Sequence, residues 1–334
     1  MNEKICVLGG GSWGTAIAIS LSSKGLNVNL WDIDKEHTAS MIKFRENRKF
    51  LPGTVFPETL TVKEDQKEAI EGCGVVIYAV PAQFFRSALE NSAGLLTNEM
   101  IAVNVAKGIE QKSLLLLSEI AEEYIPDNRY VVVSGPSHAE EVCKGMPTTL
   151  VSASKNEAAA ELVQDLFMSN VMRVYTNDDV TGVQLGGALK NIIALGAGIC
   201  DGLGYGDNAK AAMMTRGIAE IKRLGIAMGA KESTFAGLSG IGDLIVTCTS
   251  MHSRNRRCGI MIGEGLSPKT AMDNVGMIVE GVFTCSAAYE LAKKYGVEMP
   301  IVENIYRILN EEVDAKEAVS ILMNRQKKHE TESV

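Results

Sequence analysis

The stretch that decides the fold opens the chain and reads Lys4-Ile5-Cys6-Val7-Leu8-Gly9-Gly10-Gly11-Ser12-Trp13-Gly14-Thr15-Ala16. Its apolar run predicts a strand, its glycines predict a tight turn, and the small residues that follow predict a helix. Gly9, Gly11 and Gly14 have the G-x-G-x-x-G spacing, which permits the turn, the approach of a pyrophosphate and close helix–strand packing. The first turn of the helix offers free N–H groups to the phosphates. The stretch therefore predicts a dinucleotide-binding fold.

An acidic residue closes the second predicted strand, which runs from Asn27 to Asp32. An aspartate in this position can accept a hydrogen bond from the ribose 2′-hydroxyl of NAD, and it would repel the 2′-phosphate of NADP. The alternative is a solvated turn aspartate, and Lys35 close by could screen a phosphate. We therefore expect NAD or NADP as the cofactor, with NADH favoured.

The bulk composition excludes several classes of protein. A length of 334 residues predicts two domains, and 46% hydrophobic with 22% charged residues is typical of a globular protein. A net charge of −8 argues against nucleic-acid binding. The seven cysteines and four histidines lack metal-ligand spacing, which predicts reduced thiols and no metal site. We expect no membrane-spanning stretch and no signal peptide, and hence a cytoplasmic protein without integral membrane contact.

Strand and helix patterns alternate in the first half of the chain. Strands are predicted at 4–8, 27–32, 75–80, 100–105 and 130–134, and helices lie between them, for instance at 15–24, 83–89 and 113–124. This alternation predicts a parallel sheet covered by helices, with ligands beyond the carboxyl ends of its strands. Segments 148–153 and 171–175 are predicted as extra strands, with a helix at 157–168 between them. Helical patterns take over from about residue 180. We expect an α/β dinucleotide-binding domain over residues 1–189 and an all-α substrate-binding domain over residues 190–334.

Two lysines occupy positions that suggest chemistry. Lys107 directly follows a predicted strand, at the sheet edge where ligands bind. Lys190 lies in segment 182–198, which is almost wholly apolar or small and is rich in glycine. Burial or a second cation lowers the pKa of such an ammonium and favours proton donation near neutral pH. The alternatives are a surface lysine at a strand end and a structural lysine whose head reaches solvent.

Two further blocks carry polar residues in a compact pattern. Asp243, the acid of segment 237–249, could hold a lysine by charge and hydrogen bond. Ser253 is a candidate N-cap for a helix, and Arg254 and Asn255 would add donors for an anion to the free N–H groups of that helix. The alternative for segment 253–257 is a solvated basic face.

The glycine turn, the two lysines and the arginine-rich segment together predict a site for hydride transfer. Hydride transfer from a nicotinamide to a carbonyl develops negative charge on oxygen, which needs a positive partner and a proton source. Lys107 and Lys190 can supply both. The arginine-rich segment predicts that the carbonyl compound carries a phosphate.

From Gly9 through Pro300 the chain resembles the bacterial NAD(P)-dependent glycerol-3-phosphate dehydrogenases. The most specific matches are segments 182–191, 240–249 and 253–257, which read GVQLGGALKN, GIGDLIVTCT and SRNRR. The resemblance implies an α/β Rossmann domain with a parallel sheet, followed by an all-α domain of the 6-phosphogluconate dehydrogenase-like type. It also implies the interconversion of dihydroxyacetone phosphate and sn-glycerol 3-phosphate, an oxidoreductase reaction that supplies phospholipid synthesis. By analogy we expect a homodimer.

The resemblance assigns roles residue by residue. Lys190 matches the proton acceptor of the oxidation direction, Lys107 matches a second catalytic lysine that touches substrate and cofactor, and Asp243 completes the catalytic set. The substrate-site matches are Lys107, Gly135, Ser137, Lys190, Asp243, Thr247, Ser253, Arg254 and Asn255. The expected cofactor site consists of Gly9, Gly11, Ser12, Trp13, Gly14, Asp32, Ile33, Lys107, Ala139, Arg254, Ile278 and Glu280.

One position departs from the family pattern. Many members carry a basic residue or a histidine just after the second strand, which suits NADP. This chain has Ile33 there, between Asp32 and Asp34. The departure favours NADH.

Two other functions stay open on the sequence. A related dehydrogenase acting on a 2-hydroxy acid or a sugar acid would need a carboxylate-binding site, and Lys190-Asn191 occurs in that wider group too. A regulatory protein that senses NADH without turnover would need neither Lys107 nor Lys190.

Overall fold

A computed structural model describes residues 4–125, 129–327 and 329–330. The chain divides into two compact units. The first comprises Met1–Lys107 and Leu115–Val183, and the second comprises Gly108–Leu114 and Gln184–Val334.

The first unit is an α/β structure. Its strands are β1 (Lys4–Leu8), β2 (Val28–Trp31), β3 (Glu46–Asn47), β4 (Leu51–Val55), β5 (Leu60–Lys63), β6 (Cys73–Tyr78), β7 (Ile101–Asn104), β8 (Tyr130–Ser134), β9 (Thr148–Ala153) and β10 (Met172–Asn177). Its helices are α1 (Ser12–Ser23), α2 (Lys35–Phe44), α3 (Gln66–Ile70), α4 (Phe85–Ser92), α5 (Leu117–Glu122), α6 (Ala139–Val142) and α7 (Glu157–Phe167).

Eight of these strands form one sheet in the order β10-β9-β8-β7-β6-β1-β2-β5. Its neighbours pair in parallel except β8 and β9, which are antiparallel. Residues 5–8 of the central strand β1 are fully buried, as expected for a strand covered on both faces. Because β1, β2, β6, β7 and β8 are parallel, the residues that follow them meet at one edge of the sheet.

The seven strands predicted from the sequence are all present, and the prediction of a Rossmann-type sheet is confirmed. The extra strand β9 departs from the parallel order of the five strands before it, because it pairs with β8 antiparallel. The connection between β8 and β9 contains only the four-residue helix α6, which is too short to carry the chain back along the sheet. The helix predicted at 113–124 is shorter, since α5 is Leu117–Glu122. Strand β5 and the β3–β4 hairpin were not predicted.

The second unit is helical, as predicted. Its elements are α8 (Val180–Gly202, which begins in the first unit), α9 (Asp207–Ala227), a 3₁₀ helix (Glu232–Ala236), a π-helical turn (Leu238–Gly242), α10 (Asp243–Thr249), α11 (Arg254–Gly263), α12 (Pro268–Val275), α13 (Glu280–Tyr295), α14 (Pro300–Leu309) and α15 (Ala315–Met323).

The expectation that no apolar stretch is long enough to span a membrane is wrong for α8. This helix has 23 residues, and Lys190 and Asp201 are its only charged side chains, so by length and composition it could cross one. Its most apolar window is entirely buried inside the protein, as in a core helix.

Candidate active site

The glycine turn between β1 and α1 is closed on one side and open on the other. Gly9 has a φ of +114°, and a Cβ atom on Gly14 would overlap with the backbone oxygen of Gly9. Within the residues that the structure describes, no atom beyond its chain neighbours and its own helix lies within 4 Å of the place where Gly11 would carry a Cβ, and no side chain caps the first turn of α1. In the same part of the chain, the buried Nε1 of Trp13 has no hydrogen-bond partner. The open space beside the uncapped N–H groups of α1 fits the pyrophosphate of a dinucleotide.

Two buried side chains bind the backbone of the glycine turn. The carbonyl oxygen of Gly10 accepts hydrogen bonds from Nδ2 of Asn47 at 2.7 Å and from Nε2 of His37 at 3.0 Å. Since a carbonyl can only accept, Nε2 of His37 must carry the proton. Asn47 also donates to Oγ1 of Thr15 at 2.7 Å. The sequence analysis missed both side chains, because no local pattern connects them to the glycines.

Asp32 also supports the turn. Its Oδ2 accepts from the backbone N–H of Gly10 at 2.6 Å, and its Oδ1 accepts from the N–H of Asp34 at 2.9 Å. The alternative of a merely solvated aspartate is therefore wrong. The next residue, Ile33, is 78% exposed, so the surface after β2 presents an apolar side chain without a donor.

Three predicted residues meet beyond the carboxyl ends of β7 and β8. Nζ of Lys107 donates to the carbonyl oxygen of Gly135 at 2.9 Å, and Oγ of Ser137 donates to the same oxygen at 2.9 Å. Gly135 has a φ of +133°, and a Cβ there would lie 3.0 Å from the backbone oxygen of Thr149. Ala139 begins α6. Lys107 is thus tied to the strand-end loop and is not a plain surface lysine.

The second unit buries an ion pair. Nζ of Lys190 donates to Oδ1 of Asp243 at 2.6 Å and to Oγ1 of Thr247 at 2.7 Å. The three residues are only 6%, 1% and 3% exposed. Thr247 in turn donates to the backbone oxygen of Asp243 at 2.6 Å. The predicted pairing of Lys190 with Asp243 is present, and the charge and hydrogen bonds compensate the cost of burying an ammonium.

The predicted N-cap of α11 is present. Oγ of Ser253 accepts from the backbone N–H of Arg256 at 3.2 Å. Asn255 is 7% exposed, and its Nδ2 donates to Oδ1 of Asn191 at 2.9 Å. Its Oδ1 accepts from the N–H of Gly281 at 2.8 Å, in the first turn of α13. Asn255 therefore joins the residue next to Lys190 to the helix that starts with Glu280.

The three arginines of segment 253–257 have different surroundings. Arg256 donates to Oδ2 of Asp201 through Nε at 2.8 Å, and its Nη2 lies 2.8 Å from the same oxygen. Its Nη1 donates to the backbone oxygen of Thr249 at 2.9 Å. Arg254 and Arg257 are half-buried. The alternative of a fully solvated basic face is therefore wrong.

The predicted site residues divide between the two units. The first unit holds Gly9, Gly11, Ser12, Trp13, Gly14, Asp32, Ile33, Lys107, Gly135, Ser137 and Ala139, and the second holds Lys190, Asp243, Thr247, Ser253, Arg254, Asn255, Ile278 and Glu280. Within the described residues, no group of three His, Cys, Asp or Glu side chains could hold a metal ion.

The same two-part arrangement is found in known proteins. Residues 4–160 match the family model described as the N-terminus of NAD-dependent glycerol-3-phosphate dehydrogenase, and residues 179–320 match the model of its C-terminus. The chain belongs to the NAD-dependent glycerol-3-phosphate dehydrogenase family. Family membership makes it an oxidoreductase that uses NAD or NADP.

Individual members of the glycerol-3-phosphate dehydrogenase family resemble the chain over nearly its full length. A Clostridium perfringens protein named glycerol-3-phosphate dehydrogenase (NAD(P)+) is 53% identical over 328 residues, covering 98% of this chain and 99% of its own. A Pelotomaculum thermopropionicum protein of the same name is 54% identical over 337 residues, covering 100% and 97%. The crystal structure of a Coxiella burnetii glycerol-3-phosphate dehydrogenase has a TM-score of 0.94 at 38% identity, covering 97% and 99%.

Proposed function

We propose that the protein reversibly interconverts dihydroxyacetone phosphate and sn-glycerol 3-phosphate with NAD(H) or NADP(H). The observation that carries this proposal is the buried pair of Lys190 and Asp243 in the same unit as the capped first turn of α11. The pair suits proton transfer at a carbonyl, and the helix N-terminus suits a phosphate. The glycerol-3-phosphate dehydrogenase family, to which the chain belongs, is named for this activity.

Lys190 is the proposed proton donor to the new hydroxyl in reduction and the proton acceptor in oxidation. Asp243 and Thr247 accept hydrogen bonds from its Nζ and hold the ammonium group in one orientation, as proton transfer requires. A bound nicotinamide supplies or accepts the hydride. The ammonium groups of Lys190 and Lys107 stabilise the negative charge that develops on the carbonyl oxygen.

The phosphate end of the substrate is assigned to Ser253, Arg254 and Asn255, where arginine and helix N–H groups are the preferred partners of phosphate. In the first unit, Lys107, Gly135 and Ser137 are proposed substrate contacts. The side chains of Lys107 and Ser137 both donate to the carbonyl oxygen of Gly135, so the three residues already lie together.

The proposed cofactor site is the glycine turn with Ser12, Trp13, Asp32 and Ile33, together with Lys107, Ala139, Arg254, Ile278 and Glu280. NADH is favoured over NADPH because the exposed Ile33 offers no donor to a 2′-phosphate, and because the carboxylate of Asp32 would repel it.

The proposal extends to the setting of the reaction. We place it in the cytoplasm, in a homodimer, where glycerol 3-phosphate would supply phospholipid synthesis. The domain division proposed for the two roles is residues 1–189 for the dinucleotide and residues 190–334 for the substrate.

Initial rates of NADH and NADPH oxidation with dihydroxyacetone phosphate test the proposal. Turnover with NADH and poor turnover with NADPH would support both the reaction and the cofactor preference. Equal or faster turnover with NADPH would keep the reaction and contradict the roles given to Asp32 and Ile33. No turnover with either would contradict the substrate assignment. Turnover of a 2-hydroxy acid would then support the related dehydrogenase, and NADH binding alone would support a sensor.

A further inference from the structure

Helices α8 and α11 pack backbone against backbone. Each contributes two glycines spaced four residues apart, Gly198 and Gly202 on α8 and Gly259 and Gly263 on α11. A Cβ on any of the four would overlap with a backbone oxygen of the opposite helix. Such close contact leaves the two helices little freedom to slide or separate.

An ion-pair network also joins α8 to α11. Asp201, on the last turn of α8, binds Arg256 through Oδ2 and Nζ of Lys210 through Oδ1, the latter at 2.8 Å. The side chains of Arg256, Asp201 and Lys210 are 13%, 16% and 17% exposed, so solvent screens the network only partly. Arg256 also donates to the backbone oxygen of Thr249, at the end of α10. The one guanidinium therefore joins three helices.

The helices that make these contacts also carry the functional groups of the second unit. Lys190 is on α8, Asp243 and Thr247 are on α10, and Ser253 and Arg254 open α11. Arg256 follows the N-cap residue Ser253 by three positions, and its backbone N–H donates the capping hydrogen bond to Oγ of Ser253. A change in the position of Arg256 would therefore move the first turn of α11.

We propose that Arg256 is a positioning residue that acts through Asp201 to hold the anion-binding turn of α11 at a fixed distance from Lys190. The inference rests on the proposed function, in which that turn binds the substrate phosphate. Arg256 itself does not contact the phosphate in this scheme, because its guanidinium is bound to Asp201 and Thr249. The α8–α11 contact then sets the span between the phosphate and the carbonyl that Lys190 protonates.

Steady-state kinetics of Arg256→Met with dihydroxyacetone phosphate tests the inference. We expect the KM for dihydroxyacetone phosphate to rise about tenfold or more, because a small displacement of a binding group is costly, while kcat changes less. The inhibition constant of inorganic phosphate, used as a competitor, should rise in parallel. Arg256→Lys should restore part of the loss, since it keeps the charge without the forked geometry.

Asp201→Asn provides a second variant that retains the shape of the side chain. It should raise the same KM, and the double variant Arg256→Met with Asp201→Asn should be no worse than Arg256→Met alone. Arg307→Met is the matched control, because Arg307 pairs with Glu312 at 3.7 Å in the same unit. Its KM should be unchanged.

The measurements separate this inference from the proposed function. Wild-type turnover of dihydroxyacetone phosphate tests the function. With that turnover established, folded Arg256 and Asp201 variants with a wild-type KM would overturn the inference, even if their unfolding temperatures fell. Multiplicative KM effects in the double variant would overturn the linkage through Asp201.

Discussion

Nζ of Lys190 lies 2.6 Å from Oδ1 of Asp243, and both side chains are almost completely buried in the helical unit. The two residues are 53 positions apart and reach each other because α8 and α10 pack with their polar positions facing. A buried, hydrogen-bonded ion pair is strongly oriented, and orientation is what a proton-transferring group requires.

Lys190→Ala should lower kcat by about 10²-fold or more, because the proton donor is lost while the phosphate contacts stay. The measurement is the initial rate at saturating dihydroxyacetone phosphate and NADH. Lys222→Ala is the control, since Lys222 pairs with Glu232 on the surface of the same unit. Wild-type turnover in Lys190→Ala would rule out the acid–base role.

Asn47→Ala should weaken cofactor binding. The change removes the 2.7 Å hydrogen bond to the Gly10 oxygen, while His37 still donates to that oxygen and Asp32 still accepts from the Gly10 N–H. Losing one hydrogen bond of this kind costs about 0.5–1.5 kcal/mol, so we expect the KM for NADH to rise about two- to tenfold.

Asn29→Ala is the matched control for Asn47→Ala. Asn29 is also a buried amide of the first unit, but its Nδ2 donates to the Ala69 oxygen at 2.7 Å instead of the Gly10 oxygen. It should lower the unfolding temperature without raising the KM for NADH. The same KM for NADH in Asn47→Ala and Asn29→Ala would contradict a role of Asn47 in the glycine turn.

Gly198→Ala should destabilise the protein. Its new methyl group would overlap with the backbone oxygen of Arg256 and force α8 and α11 apart. Overpacking of this kind costs about 1–3 kcal/mol, which thermal unfolding can detect. Gly94→Ala is the control, since among the described residues no atom apart from its chain neighbours lies within 4 Å of its Cβ position. A wild-type unfolding temperature for Gly198→Ala would show that the helices separate easily.

Glu220 should make stability depend on pH. Its carboxylate accepts from the N–H groups of Ile301 at 2.8 Å and Val302 at 3.2 Å, at the start of α14. Burial raises its pKa to about 7 from an ordinary value of 4.5, and the two backbone hydrogen bonds oppose this rise only in part. Arg223 and Arg325 are the cations that act on it.

The raised pKa means that the folded state binds a proton on Glu220 more tightly than the unfolded state does. The contribution of this proton to the unfolding free energy is therefore complete below about pH 4.5 and is lost as the pH rises to about 7. The unfolding free energy of the wild type, relative to Glu220→Gln, should fall by up to about 3 kcal/mol over this range. Chemical denaturation of both proteins at several pH values measures it. A constant difference between them would contradict the raised pKa.

The sequence predicted those elements whose residues carry a local pattern. The apolar run of β1 and the glycines after it specify a strand, a turn and a helix without reference to the rest of the chain. The N-cap role of Ser253 could be predicted for the same reason, because a cap involves residues three positions apart. Strand β5 reads LTVK, and it was missed because only Leu60 and Val62 are apolar, so it lacks the apolar run that marked the predicted strands.

Local patterns were sufficient to predict a dinucleotide-binding sheet, a helical second half and the types of residue available for chemistry. The antiparallel pairing of β8 and β9, the support of Gly10 by His37 and Asn47, and the ion pair of Arg256 with Asp201 follow from the packed fold alone. The residues of each of these contacts are far apart along the chain. A local pattern reports which side chains prefer burial, but the partner of a buried polar group depends on which distant segments the packed core brings within hydrogen-bond reach.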